Sequence, residues 1–295
     1  MRLIIQKDPQ QMAVWAAAHI VKRINEFGPT PEKPFVLGLP TGGTPLGTYK
    51  ELIRLYNEGK VSFQNVVTFN MDEYVGLDPE HPAGFRNFLM RAIFGKKPFK
   101  TVNLLNGNAD DPEAEAARYS KLLQDNPLDV CLLGVGENGH VAFNDPPVAD
   151  FNDPKLVKVV KLDEICRQQQ VNDGCFESID QVPTHALSVT VPGLTSAKAM
   201  FCTVPAPTKA NAIRSIINDE ISTACPATIM RKHDCAKLYV DADAGKYKDG
   251  SYVKMTSDDK YVIVVNERLN NTTNAFASVK VYTGKLPTGA VIEGE

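Results

Sequence analysis

Apolar positions in the first third of the chain alternate between two periods. After Asp8-Pro9, the residues Met12, Trp15, Ala16, Ile20, Val21 and Ile24 recur at helical spacing until Gly28. An Asp N-cap, a Pro at the first helical position and a closing Gly make this a helix over 9–27. The run Phe35-Val36-Leu37-Gly38-Leu39 is short, unbroken and stopped by Pro40, as in a parallel strand buried on both faces. A second helical pattern covers about 45–56. It is followed by strand 66–70, helix 84–94, strand 102–105, helix 112–125 and strand 128–133. Further strands are predicted near 156–161, 186–191, 198–203 and 237–240, with a helix over 207–218. Strands alternating with helices imply right-handed crossovers and an α/β fold, with a mainly parallel sheet and helices on both faces. From about Asp241 the helical pattern stops. Short β runs (Tyr252–Met255, Tyr261–Val265, Ala277–Tyr282) then lie between Gly, Asn, Asp and Thr turns. The chain therefore divides into 1–243 and a β-rich C-terminal extension, 244–295, to which the sequence assigns no job.

Composition narrows the function classes. With 43% hydrophobic residues in 295, there is ample material for a large core. The formal net charge is −3, from 32 Lys+Arg against 35 Asp+Glu, so no global field draws in nucleic acid or an anionic membrane. No apolar stretch approaches the roughly 20 residues that span a bilayer, and the opening apolar run is too short for a signal peptide. Six cysteines stand singly, without the spacing of a zinc ribbon or disulfide scaffold. A cytoplasmic protein with no nucleic-acid or membrane partner is expected; a homo-oligomer is left open.

Three loops carry candidate chemistry. In Pro40-Thr41-Gly42-Gly43-Thr44-Pro45, between a buried strand and a helix start, the glycines free backbone N–H groups, Thr41 and Thr44 offer hydroxyls, and the helix adds its positive end. This is an anion cradle suited to phosphate. It is not a Walker A loop, because Thr48-Tyr49 stands where Lys-Ser/Thr is required. The plain alternative is a tight turn with an ordinary cap. In Phe69-Asn70-Met71-Asp72-Glu73-Tyr74, paired carboxylates follow a buried strand at the rim where α/β folds place ligands. Asp72 is the candidate general base, working on a proton beside a carbonyl if burial raises its pKa. Solvated acids or caps are the alternative. In Leu133-Gly134-Val135-Gly136-Glu137-Asn138-Gly139-His140-Val141-Ala142-Phe143-Asn144-Asp145-Pro146, the glycines formally match a dinucleotide fingerprint. That reading fails because no helix can open at the third glycine with Pro146-Pro147 ahead. The glycines are expected to let the backbone approach a substrate while presenting Asn138, His140 and Asp145.

LPTGGTPLGTYKEL (39–52), VTFNMDEYVGL (67–77) with HPAGFRNFL (81–89), and LLGVGENGHVAFNDP (132–146) closely resemble the three signature regions of the glucosamine-6-phosphate deaminase (isomerase) family. The resemblance covers about residues 1–243. It implies a Rossmann-like fold and conversion of glucosamine 6-phosphate and water to fructose 6-phosphate and ammonia, with no metal or nucleotide cofactor. By motif position, Asp72 matches the base that moves a proton between C2 and C1, and His140 the group that assists ring opening. Asn138 and Asp145 fall where the family carries residues that orient this histidine. Thr41, Gly42, Gly43 and Thr44 match the phosphate loop, and Lys209 a phosphate-binding lysine.

The chain also departs from the family pattern. Asn138 brings no charge, and Asp145 stands where Glu is usual, with a reach shorter by roughly 1.5 Å; a shifted backbone or bridging water would compensate. The phosphate-binding Arg expected before a Phe-Phe pair is replaced by Asn172-Asp173-Gly174-Cys175-Phe176. Arg167, about two helical turns upstream, is the candidate to take over. The basic residues of the family's allosteric site are not evident after Asp145. Two rival classes remain: a related sugar-phosphate enzyme (galactosamine-6-phosphate deaminase/isomerase or 6-phosphogluconolactonase) and a non-catalytic sugar-phosphate sensor. Asp72-Glu73-Tyr74 argues against the lactonase, which usually has Asp-Glu-Arg there, and the lack of an N-terminal helix-turn-helix argues against a regulator.

Overall fold

The computed structural model describes residues 1–6, 8–241 and 243–245, together with the backbone of strands 262–270 and 275–283. Helix α1 (Pro9–Phe27) begins where the Asp8 carboxylate accepts the Gln11 N–H at 2.7 Å, and ends at Gly28, whose φ of 60° lets its N–H close on Ile24. Strands β2 (Phe35–Leu39) and β3 (Val66–Asn70) and helix α2 (Leu46–Asn57) fall where the pattern predicts them. So do α4 (Pro112–Asp125), β6 (Val130–Leu133), β9 (Met200–Val204), β10 (Ala236–Asp241) and α7 (Ala210–Asn218), the last entered by a 3₁₀ turn at Pro207–Lys209. The predicted helix 84–94 is shorter: α3 (Phe85–Ala92) breaks at Ile93 and continues as a 3₁₀ turn. The edge strand β5 is Thr101–Asn103.

Other elements escape the sequence pattern. Arg2–Gln6 forms β1, a strand in what reads only as a short apolar run. Asp72–Tyr74 is a strand, β4, and not a loop. Helix α5 (Glu164–Asn172) buries only Cys166, so no apolar stripe announces it. The short α6 (Val191–Thr195) follows β8 (His185–Val189). Strand β8 and β7 (Val157–Lys161) do not join the parallel sheet: they pair antiparallel, with β4 beyond β8, in a second sheet of order β4-β8-β7.

The main sheet runs β12-β11-β1-β10-β9-β6-β2-β3-β5, where β11 is Val262–Asn270 and β12 Ala275–Thr283. Every pairing is parallel except β11 with β12. The C-terminal β runs thus form a hairpin that extends the main sheet at β1, with Arg2 opposite Val262; Tyr252–Met255 lies outside the described residues. Because helices cover both faces, β2 and β6 are buried throughout. Alternate side chains serve two cores. Leu37 and Leu132 join Trp15, Leu52 and Leu89 of α1–α3, while Val36 and Leu133 join Tyr119, Leu194 and Ile213 of α4, α6 and α7. Burial of a side chain such as Leu52 contributes roughly 1.5–3 kcal/mol.

From β2 the chain moves outward in one direction through β3 and β5. It then returns to place β6 on the other side of β2 and continues through β9 to β10. The order reverses between β2 and β6, so the loops leaving their C-terminal ends, 40–45 and 134–146, open a crevice at the switch point.

Candidate active site

One wall of this crevice is the loop after β2. The Tyr49 hydroxyl donates to the Pro40 carbonyl at 2.5 Å and holds the loop's start against α2. Gly42 adopts φ +91°, and a Cβ built on Gly42 or Gly43 would meet no protein atom within 4 Å. The glycines therefore leave bare backbone facing open space. No side chain caps α2; Leu46 N–H reaches the Gly43 carbonyl at 3.4 Å, and the N–H groups of Gly47 and Thr48 remain available to an anion. The predicted cradle, Thr41, Gly42, Gly43 and Thr44, is one continuous surface at a helix start.

A cation stands on the neighbouring turn. Lys209 follows β9, which pairs with β6, and is only 8% exposed. Among the described residues its ammonium has no hydrogen bond or ion pair. Burial pushes its pKa down, against the opposing charges of Glu137, Asp173 and Cys166. The turn is reached through Ala206, a non-glycine residue at φ +83°, whose N–H is held at 3.0 Å by the buried Asp241 carboxylate. A backbone conformation this unusual for alanine persists because its surroundings hold it.

Strand β4 divides two adjacent acids between its faces. Glu73 accepts the N–H groups of Tyr74, Phe85 and Arg86 at 2.9, 3.0 and 2.7 Å and so caps α3. Asp72 has a different environment. It is 7% exposed, its Oδ1 meets no hydrogen-bond partner, and Thr41 of the cradle is the neighbouring side chain that favours its charged form. Burial, helped by the charge of Glu73 and opposed by Thr41, pushes the Asp72 pKa up to about 8. Asn70, to which the motif gave no role, fixes the bend into β4: its amide donates to the Asp72 carbonyl at 2.9 Å, and its Oδ1 accepts from Leu105 N–H and the Tyr119 hydroxyl.

The loop after β6 carries the third group. His140 Nδ1 lies 2.7 Å from Asn138 Oδ1 and 2.9 Å from Asp145 Oδ1. Both are acceptors, so the ring proton belongs on Nδ1 and the lone pair on Nε2. Asn138 is held in turn, donating from Nδ2 to Asp145 Oδ1 at 2.9 Å and accepting the His140 N–H at 3.1 Å. Burial pushes the Asp145 carboxyl up, but the hydrogen bond and charge of His140, with Asn138 and Cys166, outweigh it and hold the pKa below its ordinary value. Asp145 therefore reaches the imidazole directly, without the bridging water its short side chain suggested. A tight turn makes this reach possible: Asn144 N–H closes on Val141, Ala142 sits at φ +49°, and the Asn144 amide ties the loop to Val189 of β8 at 2.8 Å.

The loop glycines serve contacts within the protein. A Cβ on Gly134 would lie 2.7 Å from Thr44 Oγ1, so this residue lets the two loops touch. On Gly139, at φ +82°, it would meet Cys225 Sγ at 2.4 Å. On Gly136 it would fall 2.1–2.4 Å from three atoms of the His140 ring. Gly136→Ala is accordingly expected to displace the imidazole and reduce turnover about as much as His140→Ala, with little loss in melting temperature. Parallel kinetics and thermal melts check this.

The structure brings Asp72, the cradle, Asn138, His140 and Asp145 together. Cys166 of α5 is their common neighbour, its thiol raised by the charges of both Asp145 and Asp72. Arg167 does other work. Its guanidinium donates to the Ile179 and Val182 carbonyls at 2.7 and 2.8 Å and ties α5 to the following turn. The phosphate role expected of it is not supported, because an arginine occupied with main-chain carbonyls cannot offer its full fork to an anion.

Residues 7–240 match the family model described as glucosamine-6-phosphate isomerases/6-phosphogluconolactonase. The chain belongs to this family. It is 43% identical over 244 residues to the glucosamine-6-phosphate deaminase of Vibrio cholerae, covering 82% of this chain and 90% of the relative. With the glucosamine-6-phosphate deaminase of Phocaeicola vulgatus it shares 40% over 256 residues, 85% of this chain and 96% of the relative. Among solved structures, a monomeric glucosamine-6-phosphate deaminase superposes with a TM-score of 0.76 at 34% identity, over 83% of this chain and 98% of that one. The 6-phosphogluconolactonase of Trypanosoma brucei, with a TM-score of 0.65 at 18% identity over 83% of this chain and 98% of that one, shares the fold. No described helix is long and apolar enough to cross a membrane.

Proposed function

We propose that this family member is a glucosamine-6-phosphate deaminase, converting glucosamine 6-phosphate and water to fructose 6-phosphate and ammonia. The observation that carries the reading is the buried Asp72 carboxyl standing beside Thr41 of the cradle at the switch point, in the crevice that also holds the His140 relay. It ties the group that would move the substrate's proton to the loop that would hold its phosphate. The relatives at 40–43% identity support deamination; likeness to the lactonases is confined to the fold. Six free cysteines suit a reducing cytoplasm.

Each step follows from a group in place. The cradle 41–44 and Lys209 take the phosphate, and a sugar fixed at one end presents its reacting carbons to Asp72 without further loss of freedom. His140, with Nδ1–H held by Asp145 and Asn138, moves a proton at Nε2 to open the ring. Asp72 takes the C2 proton of the open aldehyde and returns it at C1. The carbon–nitrogen double bond left at C2 adds water and expels ammonia, which balances the reaction without a redox partner. A substrate ammonium beside Asp72 would favour its ionised form, so binding itself would turn a protonated acid into the base.

Release of ammonia and fructose 6-phosphate from glucosamine 6-phosphate, assayed beside galactosamine 6-phosphate and 6-phosphogluconolactone, tests the reading. Turnover of the lactone alone, or thermal stabilisation by sugar phosphates without any product, would overturn it. Lys209→Ala is expected to raise KM about 10–100-fold with kcat changed little, the loss of one charge-assisted bond of roughly 1.5–3 kcal/mol. Steady-state kinetics on the variant check this.

A further inference from the structure

Behind the imidazole lies a set of donors that deamination does not require together. A ring nitrogen of His140, a carboxylate oxygen of Asp145 and Sγ of Cys166 all fall within 4.8 Å of one another. They come from two separate segments, the tight turn after β6 and the first turn of α5, whose single buried residue is Cys166. Asp145 is 1% exposed, and its Oδ2 meets no N–H or O–H donor, although Oδ1 is bonded to both His140 and Asn138. The Cys166 thiol is the neighbour that favours the charged form of this buried carboxylate from the other side, so a cation can enter here in exchange for the thiol proton. Imidazole nitrogen, thiolate sulfur and carboxylate oxygen are the ligand types of zinc, at about 2.0–2.3 Å, which places neighbouring donors roughly 3.3–3.8 Å apart in a tetrahedron. Closing the present spacing to that value takes about an ångström.

We propose that His140, Asp145 and Cys166 form an inhibitory zinc site, which when filled withdraws the imidazole from proton transfer. The inhibition rests on the role given to His140 above; the binding does not. Zinc takes the place of the thiol proton, which is released to solvent as the Cys166 sulfur becomes a thiolate ligand; the ring proton of His140 moves from Nδ1 to Nε2 so that Nδ1 can bind, and water completes the fourth position. Magnesium and calcium, which prefer oxygen donors throughout, gain little from a sulfur and a nitrogen.

Calorimetric titration of the full chain with zinc, and absorption spectra with cobalt as a probe, test the site apart from catalysis. One metal per chain and a thiolate-to-cobalt charge-transfer band are expected, with the band lost in Cys166→Ala. Zinc should also suppress deamination, EDTA should restore it and magnesium should have no effect. Cys166→Ala should shift the zinc midpoint about tenfold or more, read against the variant's own metal-free rate; Cys166→Ser serves if the first variant folds poorly. Unchanged zinc affinity in both variants would overturn the site, as would its transfer to Cys175→Ser or Cys235→Ser. If the chain deaminates nothing, the calorimetric and spectral results still decide whether the site exists.

Discussion

Asp72→Asn is expected to lower kcat by about 10²–10⁴-fold while leaving KM within a few-fold, and at the same time to stabilise the folded protein at alkaline pH. The amide keeps the shape of the side chain, but it cannot take the C2 proton. Exchange of solvent deuterium into C1 and C2 should vanish with turnover; retained exchange would remove Asp72 from the role. The stability effect follows from the carboxyl's raised pKa. In the native state it is pushed up to about 8, against an ordinary value of 3.8. Between those values the native state holds a proton that the unfolded chain has lost, so this group's contribution to stability falls as pH rises from about 4 to about 8, then levels off. The variant escapes that loss. Its melting temperature should match wild type near pH 4 and exceed it above pH 8, by about 2–4 °C for each kcal/mol relieved. The same shift predicts that kcat/KM of the wild type climbs through about pH 8, the value of the free enzyme. In the substrate complex the nearby ammonium moves the corresponding rise in kcat to lower pH.

Asp145→Asn should be nearly as damaging, at about 10²–10⁴-fold in kcat, although the residue touches no reacting atom. In the wild type, two oxygens face His140 Nδ1 and keep its proton there. The replacement amide can turn a donor toward Nδ1, which places the proton on Nε2, the nitrogen that must accept it from the sugar. It also removes the negative charge that supports a cationic ring. A substrate analogue locked in the open-chain form bypasses ring opening and should recover much of the lost rate; an equal loss on both substrates would refute the orienting role. Acid stability gives a second readout. The Asp145 carboxyl is held below its ordinary pKa, so its stabilising contribution is present above the unfolded value near 4 and disappears as pH falls through the native value. The variant lacks that contribution at neutral pH and should show a weaker dependence of melting temperature on pH in the acid range.

Residues close in the chain made much of this site legible beforehand. The 3.6-residue stripe of α1 and the unbroken apolar runs of β2, β3 and β6 depend on local spacing and on burial from two sides, both of which the sequence records directly. The cradle 41–44 and the triad Asn138, His140 and Asp145 also lie within single loops, so that they stand together could be expected from their order in the chain. Groups whose role depends on a distant partner were hidden. Nothing in Asp72-Glu73 says which acid caps α3 and which turns to the crevice, because that depends on pairing with β8, more than a hundred residues later. The reading of Arg167 as a phosphate ligand failed for the same reason: the carbonyls that occupy it come from a turn 12–15 residues away. Cys166 had no motif to mark it. The sequence by itself determined the α/β order of elements and the residue types at the crevice. Tertiary structure alone decided which of them face one another, since burial, hydrogen-bond partners and the pKa of Asp72 arise only when β2, β4, β6 and α5 converge.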